Sequence, residues 1–272
     1  MAITASRERS RPSAPPQRIV SLVPSLTEAL FALGLGARVV GVTDWCVHPA
    51  ADVARLPKIG GTKNPDLEAI GALAPDLVIA NQEENRKRDI ERLEAAGMRV
   101  WLTYPRTVRE GAELFAELAE LGASAEARER VVAPVLRAVA EAEAAADAEP
   151  AREPVRVFCP IWRDPWMAVG APTYADDLIR LCGGTNVFAA HAERRYPRVT
   201  RAEIEAAAPE VVMLPDEPYA FGPRDVAELE QFAIPAAASG RIYLIDGTFV
   251  SWYGPRILPA IERLRRLLHG AN

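Results

Sequence analysis

The sequence predicts an α/β protein of two parallel-sheet lobes joined by a long backbone helix, and three observations carry that expectation. Apolar strand-like runs alternate with helix-patterned segments, the order of those segments recurs at a fixed offset, and an Ala- and Glu-rich helical stretch separates the two occurrences.

The first lobe opens with a short apolar run at residues 18–23, ended by Pro24-Ser25. Residues 27–33 then combine a capping residue, helical apolar spacing and a terminal Gly34. Residues 38–42 read as the next strand, 66–73 as a helix entered through Pro65, and 75–80 as a buried strand. A helix at 89–96, stopped by Gly97, and a strand at 99–103 complete this set. In the second lobe the order returns as strand 155–159, helix 174–181 ended by Gly183-Gly184, short strand 186–188, helix 203–208, strand 209–214 and strand 241–245. A slide of 134 residues lays Pro75 on Pro209, strand 77–80 on 211–214 and Glu83 on Glu217, the pattern of an internal duplication.

Between the lobes, residues 108–121 read as a helix ended by Gly122. A second helix runs from Ser124, which can cap it, to about residue 149. At the helical rise this second helix spans about 37 Å, and Pro134 within it predicts a kink or a break. A stiff helix between lobes implies small relative motions rather than wide hinge closure. The expected organisation is a disordered segment at 1–17, an N-terminal α/β lobe at 18–122, a bridging helix at 123–150 and a C-terminal α/β lobe at 151–272.

Composition narrows the function classes. The chain has 272 residues, 49% hydrophobic and 25% charged, which suits a folded chain with room for two domains and excludes disorder throughout. Its 32 basic and 37 acidic residues give a net charge of −5 with no basic block, so nucleic acid is not an expected partner. Cys46, Cys159 and Cys182 are far apart and odd in number, which fits buried thiols rather than a disulfide framework. No run approaches the length of a membrane span. The segment 1–17 is polar and lacks the apolar run of a secretory signal, so as written the chain reads as cytoplasmic.

Five segments together resemble a known family. They are Arg18-Ile19-Val20-Ser21-Leu22-Val23-Pro24-Ser25-Leu26-Thr27-Glu28, Asn64-Pro65-Asp66-Leu67-Glu68-Ala69-Ile70 and Ala74-Pro75-Asp76-Leu77-Val78-Ile79 in the first lobe. The second lobe adds Leu181-Cys182-Gly183-Gly184-Thr185-Asn186-Val187-Phe188 and Tyr196-Pro197-Arg198-Val199-Thr200-Arg201-Ala202-Glu203-Ile204. In order and spacing they are similar to the helical-backbone, or class III, substrate-binding proteins of ABC importers, and within these to the cobalamin-binding proteins. The resemblance implies a monomeric, periplasmic protein without a cofactor of its own. Such a protein captures a metal chelate between its lobes, cobalamin-like first and haem or siderophore second, and delivers it to a membrane permease powered by a separate ATPase. It also implies docking through one glutamate on each lobe, matched here by Glu68 and Glu203.

In open parallel α/β sheets, ligands bind beyond the carboxyl ends of the strands. The loops there supply Ser25, then Trp45, Cys46 and His48, then Glu83 and Asn85, then Tyr104 and Arg106. From the second lobe come Trp162, Arg163 and Trp166, then Tyr196, then Glu217, then Trp252, Tyr253 and Arg256. Four of the five tryptophans fall in these loops, where aromatic area suits a large flat ligand and arginines suit its acidic groups. Cys46 and His48, a Cys-x-His pair, are candidate metal ligands, with Glu83 and Glu217 able to assist. No nucleophile elbow, phosphate loop or zinc-protease motif is present, so binding rather than catalysis is expected. The alternatives left open are a cytosolic metal or corrinoid carrier or sensor of the same fold, and a metal-dependent α/β enzyme.

Overall fold

The computed structural model describes residues 14–148, 153–191 and 194–270. The chain forms two compact units. The first comprises the described part of Met1–Pro105 with Gly111–Leu136 and Tyr253–Pro255; the second comprises Arg106–Glu110, the described parts of Arg137–Trp252 and those of Arg256–Asn272.

In the first unit the strands are β1 (Ile19–Ser21), β2 (Val39–Val42), β5 (Leu77–Asn81) and β6 (Val100–Thr103), with a small antiparallel hairpin β3 (Gly60–Gly61) and β4 (Asn64–Pro65). The sheet is parallel in the order β2-β1-β5-β6. Helices α1 (Pro24–Ala32), α2 (Leu67–Ala72) and α3 (Lys87–Ala95) connect the strands. Every residue of β5 is buried, and Val78 and Ala80 join Val20, Ile59, Ile70, Ile90, Leu93 and Val100 in one core. Such a strand reads as a continuous apolar run because helices cover both of its faces.

The second unit repeats the plan. β7 (Val155–Phe158), β10 (Gly184–Asn186), β11 (Val211–Pro215) and β12 (Ile242–Ile245) form a parallel sheet in the order β10-β7-β11-β12. Separate from that sheet, β8 (Pro160–Trp162) and β9 (Met167–Ala168) make an antiparallel hairpin directly after β7. The duplication extends to backbone detail. Ala74 and Ala208 both take φ +44°, at the same offset as β5 and β11. The guanidinium of Arg18 donates to the carbonyls of Leu73 and Ala74, and that of Arg156 to those of Ala207 and Ala208. Asp76 accepts the N–H of Gln17 and Arg18, as Glu210 accepts that of Arg156.

The expected elements are present with shifted ends. The helix expected at 27–33 begins at Pro24, whose missing N–H falls in the first turn where no partner exists for it. Thr27 is therefore inside the helix, with its hydroxyl 3.0 Å from the Val23 carbonyl, and caps nothing. The short strand expected at 186–188 lies at β10, two residues earlier. Ser124 caps the long helical segment by accepting the Ala127 N–H. Pro134 does not break that segment: lacking an N–H, it follows a π-helical turn at Arg128–Val132, and α-helix resumes over Ala133–Asp147. The segment expected to be disordered lies outside the described residues up to residue 13, as does the expected helix end at Pro150.

Sequence reading missed the β3–β4 and β8–β9 hairpins, the short helices Ala50–Val53, Pro235–Ala238 and Thr248–Ser251, a helix at Pro223–Leu229 and the closing helix Ile257–His269. The closing helix explains the double glycine. His269 Nε2 lies 2.9 Å from the Cys182 carbonyl, and a Cβ at Gly183 (φ +84°) would stand 2.5 Å from that nitrogen.

Ala74 and Ala208 each hold a left-handed conformation that glycine adopts without a Cβ clash. Ala74→Gly and Ala208→Gly should each raise unfolding free energy by about 0.5–1 kcal/mol, the left-handed penalty less the entropy glycine adds to the unfolded chain. Urea denaturation checks this, and a lower midpoint in either variant would contradict it.

Candidate ligand-binding site

In the first unit the carboxyl ends of the strands carry a tightly braced set of loops. Trp45 follows β2 and is 66% exposed, with Val47 exposed beside it, whereas Cys46 between them is fully buried. Lys58 fixes this turn: its ammonium donates to the carbonyls of Cys46 (3.0 Å) and Thr43 (3.4 Å). The β3–β4 hairpin adjoins the same loop, since Asp44 N–H donates to the Gly60 carbonyl and a Cβ on Gly61 would come within 3.5 Å of Trp45 Nε1. Asn85 holds the hairpin from beneath, donating to the carbonyls of Leu22 (3.3 Å) and Thr62 (3.0 Å) while accepting the Asn81 N–H (2.8 Å). Lys63 donates to the Glu83 carbonyl.

Several expected ligand contacts thus have structural roles here. Asn85 is buried and its amide ties three segments together. The Cys46 sulfur sits 3.2 Å from the Thr27 hydroxyl and 3.1 Å from that of Thr43, and burial pushes its thiol pKa up against the lowering effect of those hydrogen bonds. A neutral, inward-facing thiol is a poor source of the thiolate that a soft metal site uses. Among the described residues, no group of three or more His, Cys, Asp and Glu is placed to hold a metal ion. Ser25 is buried in the first turn of α1, its hydroxyl without a hydrogen-bond partner among the described residues, His48, Glu83 and Tyr104 are half-buried, and Tyr253 is buried.

In the second unit the tryptophans divide in the same way. Trp162 at the end of β8 is 44% exposed and meets Tyr219 edge to face at 5.6 Å. Trp166, four residues later, is 8% exposed, stacked on Phe221 at 5.9 Å within the core that also holds Phe158 and Phe188. Trp252 is 6% exposed and donates its indole N–H to Glu217 Oε1 (2.7 Å), which also accepts from Ser251 Oγ (2.6 Å). Of the four tryptophans expected at the site, Trp45 and Trp162 are open, whereas Trp166 and Trp252 are packed and present little surface to a ligand.

The arginines are similarly engaged. Arg163 pairs with Glu228 and lies 3.8 Å from Asp225, both on the helix Pro223–Leu229, with its guanidinium 4.9 Å above Trp166. Arg256 covers Trp252 at 4.9 Å, donates to Thr248 Oγ1 (2.7 Å) and faces Asp246 at 3.5 Å. Arg106 is exposed, and Tyr196 is half-buried beneath Arg195 at 5.6 Å. Glu68 and Glu203 are exposed in the first turns of α2 and of the helix Arg201–Ala207. Hydrogen bonds from the backbone and then the hydroxyl of Thr200 hold the Glu203 pKa below the usual range, in a capping box.

A family model described as periplasmic binding protein matches residues 19–248. The chain belongs to that family. This binding protein is 24% identical over 250 residues to a vitamin B12-binding protein of Vibrio cholerae serotype O1, covering 92% of this chain and 88% of the relative. Its fold superposes with TM-score 0.80 on the crystal structure of the periplasmic vitamin B12 binding protein of Vibrio cholerae, at 23% identity, over 93% of this chain and 97% of the other. A periplasmic heme-binding protein from Roseiflexus sp. RS-1, in apo form, gives TM-score 0.76 at 27% identity over 93% and 98%. Family membership makes the chain a binding protein and not an enzyme, which removes the metal-dependent enzyme alternative. No described helix is long and apolar enough to cross a membrane.

The expected ligand-binding residues do not include Tyr219, Lys58 or Asn81. Tyr219 stands in the loop after β11, where the strand-end rule reaches it, but only its contact with Trp162 marks it.

All three cysteines are free and buried, and burial drives the Cys159 and Cys182 thiols up to about 12. A raised folded-state pKa makes their contribution to stability complete below the unfolded value and lost as pH rises from about 9 through about 12. The native chain at pH 8 should react with a thiol reagent far more slowly than the urea-unfolded chain, and its urea midpoint should fall above pH 9. Rapid native labelling of all three would contradict the burial.

Proposed function

We propose that this binding protein captures a metal chelate with a broad apolar face, cobalamin-like first and haem or siderophore second, and hands it to the permease of an ABC importer driven by a separate ATPase. The observation that carries the reading is the division of the five tryptophans. Trp101, Trp166 and Trp252 are buried, while Trp45 remains open in the loop after β2 and Trp162 remains open at the end of β8. An indole left in water forgoes roughly 25 cal/mol per Å² of burial, and a ligand that covers it recovers that. Relatives named for vitamin B12 and haem support a tetrapyrrole-type ligand over a bare ion.

Glu68 and Glu203 fit the docking role as exposed carboxylates in helix first turns, where the helix dipole favours their charge. Hydrogen bonds from the backbone and then the hydroxyl of Thr200 hold the Glu203 pKa below the usual carboxylate range. Family membership supports work outside the cytoplasm, and the cytoplasmic reading finds no such support.

Trp45→Ala and Trp162→Ala should each weaken binding of cyanocobalamin or hemin by about 1–3 kcal/mol in titrations followed by absorbance or fluorescence, and unchanged affinity would remove that residue from the site. Glu68→Arg combined with Glu203→Arg should leave chelate affinity intact and abolish uptake through the cognate permease; undiminished uptake would end the docking assignment.

A further inference from the structure

Resting on the reading that Trp162 contacts the ligand, we propose that Tyr219 is a positioning residue that fixes the Trp162 indole as a stacking platform for a planar macrocycle. Trp162 ends the short strand β8, and the next residue, Arg163, is clamped by Glu228 and Asp225. The backbone on the carboxyl side of the indole is therefore anchored. The indole is held by Tyr219, whose ring meets it at 5.6 Å and 68°.

Tyr219 in turn packs on Phe221 at 4.7 Å, Phe221 stacks on Trp166 at 5.9 Å with an interplanar angle of 7°, and Trp166 meets Phe158 at 6.1 Å in the core. An unbroken series of rings thus ties an exposed side chain to the buried core of the unit. A perpendicular aromatic contact occupies at most one face of the indole, and the 44% exposure of Trp162 leaves apolar area for a ligand. An indole already held in place loses little side-chain entropy when a ligand stacks on it, so the bracing raises affinity without touching the ligand. The ligand class that gains most offers an extended flat π face; a compact octahedral ferric chelate, which presents none, gains little.

The test is a double-mutant cycle in the full chain with hemin as probe and a ferric trihydroxamate chelate as control. Tyr219→Leu should weaken hemin binding about tenfold, Tyr219→Phe should retain it within about twofold, and Trp162→Ala with Tyr219→Leu should lose no more than Trp162→Ala alone. The control chelate should change by less than about twofold in Tyr219→Leu. Tyr219→Met replaces Tyr219→Leu if the latter fails to fold by far-UV circular dichroism.

A ligand-free readout separates this inference from the functional reading. The near-UV circular dichroism difference between the parent and Trp162→Ala reports an ordered Trp162, and it should disappear when the same pair is compared in the Tyr219→Leu background. If the parent binds neither hemin nor cyanocobalamin, the functional reading falls while the dichroism difference still decides whether Tyr219 orders the indole. Parent-like hemin affinity in Tyr219→Leu, additive losses in the double variant, or a surviving dichroism difference would overturn the positioning role. An equal loss for the control chelate would overturn the planar ligand class.

Discussion

β5 and β11 are buried at every residue, and that constraint decides where the rest of each unit can place its chemistry. A strand covered on both faces has no solvent-facing position for a functional side chain, so polar and aromatic groups collect in the loops beyond its carboxyl end. The same burial requires each polar group near the strand ends to find a partner. Asn81 and Asn85 meet that need at the end of β5 by bonding backbone groups and Thr103, and Asp216 and Glu217 do so after β11 by accepting from Gly247, Ser251 and Trp252.

Those demands leave few side chains for a ligand. Arg163 and Arg256 have carboxylate partners and cover aromatic rings, Asn85 carries backbone hydrogen bonds, and the Cys46 thiol is enclosed by hydroxyls. The scaffold formed this way presents Trp45 and Trp162 to solvent on short, braced turns. Rigid support beneath an exposed aromatic is the arrangement a binding protein needs, because the ordering entropy is met in folding and not again at each encounter.

The duplication was legible in the sequence to unusual depth. An offset read from Pro75 and Pro209 is realised in equal φ angles at Ala74 and Ala208, in matching arginine clamps, and in the same strand order in both sheets. Helix periodicity located most helices, though the spacing of Ile257, Ile261, Leu264 and Leu268 also held a signal for the closing helix that went unread. The fate of individual side chains was less legible. Trp162 and Trp166 stand four residues apart in one hairpin with similar neighbours, yet one is open and the other lies in the core, because the outcome depends on the rings each one meets, Tyr219 and Phe221 among them, which are remote in sequence. Burial and pairing are tertiary properties, and loop composition alone carries neither.

The most direct test of the account is native mass spectrometry of the full chain after incubation with an equimolar mixture of cyanocobalamin, cobinamide, hemin and a ferric trihydroxamate. Chelate capture predicts that one of these is retained at one per chain after buffer exchange. Retention of none, with bare zinc or manganese held instead, would contradict it and return attention to His48 and the carboxylates of the strand-end loops.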